Sequence, residues 1–431
     1  MNDRAEPYAR IIFLLSAAFC AYEFILRVKL SPLSQQILTE LVISANGLGF
    51  LSSAFFYGYA PVQLLSGPII QRYGPQNTLT FALAICAIAT LFFAVTNSIP
   101  LLFLQRFLVG VGAGFAYIGA YILISHWFPS RQWAFLYGML QFIGCLGAMY
   151  GQRLLAFLSI TFAWRQLSLI LGYVGIMLGF LFIFFLKDKA SVHPGSNNKS
   201  IIHVLISQLK TVAGNPKSYP IALYAFFAWG PITISATLWG PAFLEKKLMI
   251  SSPEATYLSS LTWLGIAIGS PLIGFLATRV AEPKRLMLLC AALGAVSSLL
   301  LLSNFFFTLT NYKIIIFLIG FSAAAQPISF VKIQQINPPE CRGTAVGFNN
   351  MAGILSGACL QPLSSYLIGH SDGVILSELQ SNMYTMYNYK SGLMLMPICF
   401  TMCFALVLFF ITDNYRECTI PSRMRTKRII Y

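Results

Sequence analysis

Apolar and polar positions along this chain come in blocks rather than in the alternation of a surface helix or a half-buried strand. Twelve long runs of aliphatic and aromatic residues, at about 11–30, 46–69, 78–97, 100–124, 134–158, 167–186, 218–244, 254–277, 286–307, 313–335, 344–368 and 389–412, are separated by short polar connections. A helix needs about 20 such residues to cross the hydrocarbon of a bilayer. Barrel strands would instead show about ten residues of alternating polarity. Because every backbone N–H and C=O in lipid must be paired within its own segment, long apolar runs become helices. The pattern predicts an all-α polytopic membrane protein of twelve transmembrane helices. The first block carries Glu23, Arg27 and Lys29 and has no small-residue cleavage pattern after it, so it reads as an uncleaved span rather than a signal peptide.

Composition and charge sharpen this reading. The chain is 57% hydrophobic and only 10% charged, where soluble domains carry about a quarter charged residues. With the N-terminus inside, most Lys and Arg fall in the cytoplasmic connections, and an even number of spans returns the C-terminus to the same side. The net charge of +15 is thus a topology signal, pointing to a bacterial cytoplasmic membrane with both termini inside. No basic patch is interleaved with exposed aromatics, so nucleic acid is excluded as a partner. The basic tail Arg423–Arg428 reads as a topology anchor, with contact to anionic lipid headgroups as the alternative. None of the nine cysteines forms a CxxC pair, and the four histidines lack ligand spacing. With no phosphate-binding loop, GxSxG or zinc motif, the sequence supports neither an enzyme nor an ATP-driven pump, and implies no cofactor or metal.

The chain also repeats itself. Residues 187–217 break the apolar pattern with Lys187, Asp188, Lys189, Pro194 and Gly195. They divide residues 1–186, a first six-helix bundle, from residues 218–412, a second, with 413–431 as a basic tail. At an offset of 207, Gly58, Gly67 and Arg72 align with Gly265, Gly274 and Arg279; at 209, Pro129, Gly138 and Gly144 align with Pro338, Gly347 and Gly353. Duplicated halves with a site between them near the midplane are a common plan of secondary transporters.

These residues carry a family resemblance. The connection Gly67-Pro-Ile-Ile-Gln71-Arg72-Tyr-Gly74-Pro75-Gln76 resembles the signature between spans two and three of the major facilitator superfamily, with Gln71 in place of its acid and Pro75-Gln76 in place of its basic pair. Gly274 to Thr278-Arg279 is a second copy, again without the acid. Arg106-Phe-Leu-Val-Gly110-Val-Gly112 is similar to the family's span-four arginine motif. Tyr22-Glu23-Phe24 through Arg27, Ser31 and Pro32, together with Gly343 through Asn349-Asn350 and Gln361-Pro362, resembles the nutrient transporters of intracellular bacteria that handle amino acids and nucleosides. The resemblance implies twelve helices in two pseudo-symmetric bundles that move a small polar solute, an amino acid, nucleoside or organic acid, by alternating access, as proton-coupled uptake by a monomer. Efflux of drugs or metabolites stays open. Sugar-phosphate exchange stays open too, although span seven contains no Lys or Arg to clamp a phosphate. A non-transporting sensor of the same fold is the reading from a different class.

Several residues are candidates for the work. Glu23 is the one carboxylate well inside a block, and a charge at that depth needs a partner or a wet cavity. The resemblance implies that an acid on span one and an arginine on span four cooperate in proton coupling, which pairs Glu23 with Arg106; the residues themselves equally allow a bridge to Arg27 at i+4. Tyr22, Tyr117, Tyr121 and Trp229 are candidate pocket aromatics, and Gln326, Asn349, Asn350 and Gln361 candidate buried amides. Gly67, Gln71, Arg72, Gly74, Gly274, Thr278 and Arg279 are assigned to the inner gate, with the two arginines expected against carbonyls or helix C-termini. Arg153 is read as reaching outward toward the surface. Gly144, Gly147 and Gly151 on span five, Gly265 and Gly269 on span eight, and Gly347, Gly353 and Gly357 on span eleven are expected to let the two halves approach where five meets eight and two meets eleven.

Overall fold

The computed structural model describes residues 5–187, 201–280, 282–305, 308–370 and 384–412. Part of the 187–217 connection and the whole basic tail 413–431 lie outside the described residues. Twelve long helices follow the apolar blocks: α1 (Tyr8–Leu41), α2 (Ala45–Tyr73), α3 (Pro75–Val95), α4 (Ile99–Trp127), α5 (Ser130–Leu158), α6 (Trp164–Phe185), α7 (Ser218–Leu248), α8 (Ser252–Arg279), α9 (Pro283–Leu302), α10 (Leu309–Gln335), α11 (Arg342–His370) and α12 (Met386–Phe409). Among the described residues ten of these helices are long and apolar enough to cross a membrane, and the protein is a multi-pass membrane protein. The two remaining helices, α2 and α5, are long but richer in Gly, Ser, Gln and Tyr. Both pack against the opposite half, where polar and small side chains find partners in protein rather than lipid.

The first six helices pack in the same pairing as the last six. In the first set α1 lies on α5, α2 on α4, α3 on α6 and α3 on α4; in the second α7 lies on α11, α8 on α10, α9 on α12 and α9 on α10. Across the two sets, α2 packs on α11 and α5 on α8. Two reciprocal glycine crossings carry the repeat at atomic scale. A Cβ at Gly58 would meet Phe107 O and one at Gly110 would meet Phe55 O; a Cβ at Gly265 would meet Phe317 O and one at Gly320 would meet Thr262 O. Only glycine permits backbones to cross this closely.

The glycines of α5 do not serve the contact between halves that their spacing suggests. Gly144 faces Phe24 and the Tyr117 hydroxyl, Gly147 faces Ala21, and Gly151 faces Ile25, so all three seat α1 of the same half. Gly265 and Gly269 likewise seat α10. On α11, Gly347 and Gly357 do meet α2, at Gln63 O and Phe56, while Gly353 looks toward Ala225 of α7. A helix in a bundle has neighbours on more than one side, and a spacing of four fixes a face without fixing which neighbour it meets.

α1 differs most from expectation. It runs well past residue 30, interrupted only by a turn at Lys29, because Pro32 falls in the first turn of the following segment, where its missing N–H costs nothing. Arg27 and Lys29, at the end of the first block, are therefore buried inside the bundle. Breaks recur at Gly114–Phe115 in α4, at Ala324–Gln326 in α10 and as a π-helical turn, Ser235–Trp239, in α7. A separate helix, Ile201–Gly214, lies within the 187–217 connection.

Candidate functional site

A cavity of about 1900 Å³ runs between the two sets of helices. Its inner end is lined by Phe24, Arg27, Tyr59, Tyr117, Tyr121 and Trp229. Its wide end lies among Gln71 and Arg72 at the end of α2, Thr278 at the end of α8, and Glu340 and Arg342 at the start of α11, all of them exposed. Val204, Leu205 and Gln208 of the connecting helix line that mouth. Gln208 accepts from the Thr344 hydroxyl at 2.7 Å and donates to Glu340 O at 2.9 Å, which ties the connecting helix to the second half.

Arg27 is the charged side chain at the inner end. Its guanidinium sits 4.5 Å from the Phe24 ring centre, 4.9 Å from Tyr59 and 5.6 Å from Phe55. The electron-rich faces of these rings favour a cation. Nη2 donates to Glu23 Oε1 at 2.5 Å, and the Tyr59 hydroxyl donates to the same oxygen at 3.2 Å. Glu23 is fully buried and Arg27 nearly so. Glu23 Oε2 and Arg27 Nε have no hydrogen-bond partner among the described residues. The ion pair is therefore only half-satisfied, with both of these atoms closed off from the cavity, which Arg27 lines and Glu23 does not.

Arg106 is not the partner of Glu23. It is buried on α4, its Nη1 donates to Leu26 O at 2.7 Å, and it faces the Phe55 ring at 5.2 Å. The break at Lys29 leaves the last carbonyls of the first α1 segment short of helical donors, and Arg106 supplies one. The i+4 geometry of Glu23 and Arg27 on one helical face settles the pairing locally.

The other candidates divide. Tyr117 and Tyr121 line the cavity, with Phe24 edge-on to Tyr117 at 5.8 Å and Tyr121 against Tyr137 at 4.4 Å. Trp229, Gln326 and Asn350 also line it. Asn350 donates to Gln63 Oε1 at 2.7 Å, joining α11 to α2, and Gln63 donates to Gly114 O at 3.1 Å. Tyr22, Asn349 and Gln361 do not reach the cavity: they are turned into the bundle and spent on structure. Tyr22 donates to Leu171 O at 2.9 Å, Asn349 to Ser329 Oγ at 2.8 Å, and Gln361 to Thr233 O and Thr237 Oγ1 at 2.8 and 2.7 Å. Arg153 does not reach outward; it donates to Ser260 Oγ at 2.8 Å and lies 4.1 Å from the Tyr257 ring on α8.

At the mouth, Gly67, Gln71, Arg72, Gly274 and Thr278 face the cavity. Gly74 takes a positive φ of 81° in the one-residue corner between α2 and α3, which only glycine makes without strain. Arg72 and Arg279 rest near rings of their own helices, at 5.4 Å from Tyr73 and 5.0 Å from Phe275, not on carbonyls of the other helices. That end of the molecule stands open, so the helix ends they were expected to meet are apart. Tyr59 and Gln63 were missed in the sequence, although with Gly67 they form a stripe at i, i+4 and i+8 on α2 that marks one cavity-facing side.

Comparison with known proteins agrees with this architecture. The sequence profile described as Major Facilitator Superfamily matches residues 12–362. The chain is 25% identical over 287 residues to a probable sulfoacetate transporter of Cupriavidus necator, covering 64% of this chain and 66% of that protein. It is 24% identical over 282 residues to a hexuronate transporter of Bacillus subtilis, covering 63% and 64%. The chain thus spans just under two thirds of the length of these relatives. Among solved structures, a bacterial homologue of the human lysosomal transporter Spinster, inward-facing and unoccupied, superposes with a TM-score of 0.72 at 16% identity, over 94% of this chain and 98% of that one.

Proposed function

The chain belongs to the Major Facilitator Superfamily, and from that premise we propose that it is a secondary transporter that moves a small organic anion across a bacterial cytoplasmic membrane by alternating access. The observation that carries this is Arg27: a guanidinium held by three aromatic faces in the wall of the inner end of a large cavity. A planar fork fixed in this way suits a carboxylate or sulfonate. Around it Tyr117, Tyr121 and Trp229 offer apolar faces, and Gln63, Gln326 and Asn350 offer amides to hydroxyl or carbonyl groups of the solute. Two relatives named for sulfoacetate and hexuronate, both organic acids, favour this class over a nucleoside.

In this reading the mouth at Arg72 and Thr278 faces the cytoplasm and the conformation is open inward. Glu23 is the coupling group. A carboxylate that shares Arg27 with an anionic substrate gains from taking a proton when the substrate claims the guanidinium, because Arg27 then no longer favours the charged form of Glu23. Proton entry and anion entry are thereby linked, in the direction of uptake by a monomer. A doubly charged phosphate ester fits less well, because the lining of the second half deep in the cavity, Trp229, Gln326 and Asn350, carries no cation.

The test is uptake by the purified protein in liposomes. Sulfonates and sugar acids, amino acids and nucleosides are presented separately, with and without an inward proton gradient. Saturable accumulation of one or more acids, lost in Arg27→Ala, is expected. Accumulation of a neutral nucleoside with no acid transported, or acid transport that survives Arg27→Ala, overturns the reading.

A further inference from the structure

The end of the molecule away from the mouth is held shut by contacts that the cavity chemistry does not use. They converge on one irregular segment, the π-helical turn Ser235–Trp239 of α7. A π-turn shifts the backbone ladder by one residue, as in the bond from Gly240 N to Ser235 O, and such turns are rare and concentrated at functional sites. Carbonyls around it are taken by side chains. Gln361 of α11 holds Thr233 O from within the second half at 2.8 Å. From the first half, Ser31 donates to Leu238 O at 3.1 Å and Gln152 to Ala236 O at 2.5 Å.

Gln152 makes the larger connection. It is fully buried on α5. While its Nε2 holds Ala236 O of α7, its Oε1 accepts from Trp263 Nε1 of α8 at 3.1 Å. One amide of the first half thus fastens two helices of the second. The repeat makes this a departure from symmetry. At an offset of 209 the counterpart of Gln152 is Gln361, which stays within its own half. Both glutamines therefore serve α7, and the equivalent carbonyl of α1, Leu26 O, is left to Arg106. Trp263 in turn lies edge-on to Phe24 at 5.6 Å, and Phe24 lies against Arg27 in the cavity.

We propose that Gln152 is the positioning residue that latches the far end closed, that the π-turn of α7 is its acceptor, and that Trp263 and Phe24 connect the latch to the cavity floor. Opening the far end requires α5 to part from α7 and α8, which breaks both bonds of one side chain together. A buried amide and carbonyl that lose each other without replacement are costly, so the latch favours the closed form. The π-turn allows release without unfolding α7, since its wide turn has a regular α-helical alternative.

The experiment reads conformation directly and needs no substrate, so its failure is separable from failure of the proposed transport activity. Spin labels are placed at Val42 and Met249 in the full-length protein, otherwise free of cysteine, in lipid nanodiscs. These two exposed residues end α1 and α7 at the closed side, both with positive φ. Their distance distribution is measured by double electron–electron resonance. The unlatched variant Gln152→Leu, which removes both bonds, should raise the proportion of long distances by at least about tenfold, the scale of one lost buried hydrogen bond. Trp263→Phe should give a smaller shift in the same direction. Gln152→Glu is the second variant: it is isosteric and keeps the acceptor for Trp263, so it should lengthen the distance at high pH, where a carboxylate faces Ala236 O, and return the parental distribution at low pH, where the protonated acid donates to that carbonyl. A residue that served stability alone would lower the melting temperature and leave the distances alone. If the variants that fold keep the distribution of the parent protein, the latch is refuted.

Discussion

Arg27 and Glu23 share a single short bond, and what each leaves unused decides what a substitution should do. Glu23→Gln keeps the shape and the contact with Tyr59 while removing the titration. Under the proposed coupling, this variant should still exchange labelled substrate across liposomes at near-parental rates, yet fail to accumulate it against a gradient driven by protons. Accumulation that still follows the proton gradient would make Glu23 a structural partner of Arg27 only. Arg27→Lys tests the fork instead of the charge. An ammonium is a compact point charge and cannot offer two parallel N–H groups while resting on three rings. Losing one charge-assisted hydrogen bond of roughly 1.5–3 kcal/mol should raise the KM for transport by about tenfold or more, with little change in the maximal rate. At this scale the sequence was partly legible. A lone deep acid with an arginine one helical turn away could be found from spacing. The spacing left Arg27 and Arg106 both open as its partner, and where Arg106 goes instead depends on a carbonyl, Leu26 O, freed by the break at Lys29.

Among the helices, the apolar blocks gave the ends of every span but α1 to within about a turn and a half. They failed at α1, where the block ended at about residue 30 and the chain instead runs on as a second helical segment, Leu30–Leu41. The π-turn of α7 was equally invisible, since Ser235–Trp239 reads as ordinary span sequence and the irregular backbone is fixed by tertiary partners such as Gln361. Glycine spacing marked close faces correctly but assigned α5 and α8 to the wrong neighbours, because the face toward the same half and the face toward the other half both require small residues. The crossing of α8 and α10 allows a direct test. A Cβ at Gly320 would run into the backbone carbonyl of Thr262, which cannot turn aside as a side chain can. Gly320→Ala should therefore force the helices apart at a cost of about 1–3 kcal/mol or more. A clear fall in melting temperature, followed by fluorescence in detergent, is expected. Gly274→Ala is the control: its Cβ would meet nothing within 4 Å, so its melting temperature should stay at the parental value.

For the molecule as a whole, the repeat was legible because it is written twice. The offset that relates Gly58 to Gly265 also relates Val42 to Met249, which end equivalent helices in the same left-handed conformation. The cavity between the halves was not legible in the same way, since its lining mixes residues from helices far apart in sequence, and Tyr59 and Gln63 acquire meaning only beside Arg27 and Asn350. The proposed orientation in the membrane rests on the basic residues of the connections, and with it the compartment the cavity would serve. The chain is expected to give cytoplasmic-type reporter signals for fusions at Asn197 and after Tyr431, and a periplasmic-type signal at Asp372. The open mouth adds a conformational prediction. A single cysteine introduced by Thr278→Cys, at an exposed position on the cavity wall, should react with a membrane-impermeant maleimide in inside-out vesicles and resist it in right-side-out ones. If Gln152 latches the far end, Gln152→Leu in the same background should slow that reaction, because each molecule that opens outward must close the mouth at Thr278. Labelling from the opposite face would invert the proposed direction of the cavity, and labelling from both faces at equal rates would argue for a pore instead of alternating access.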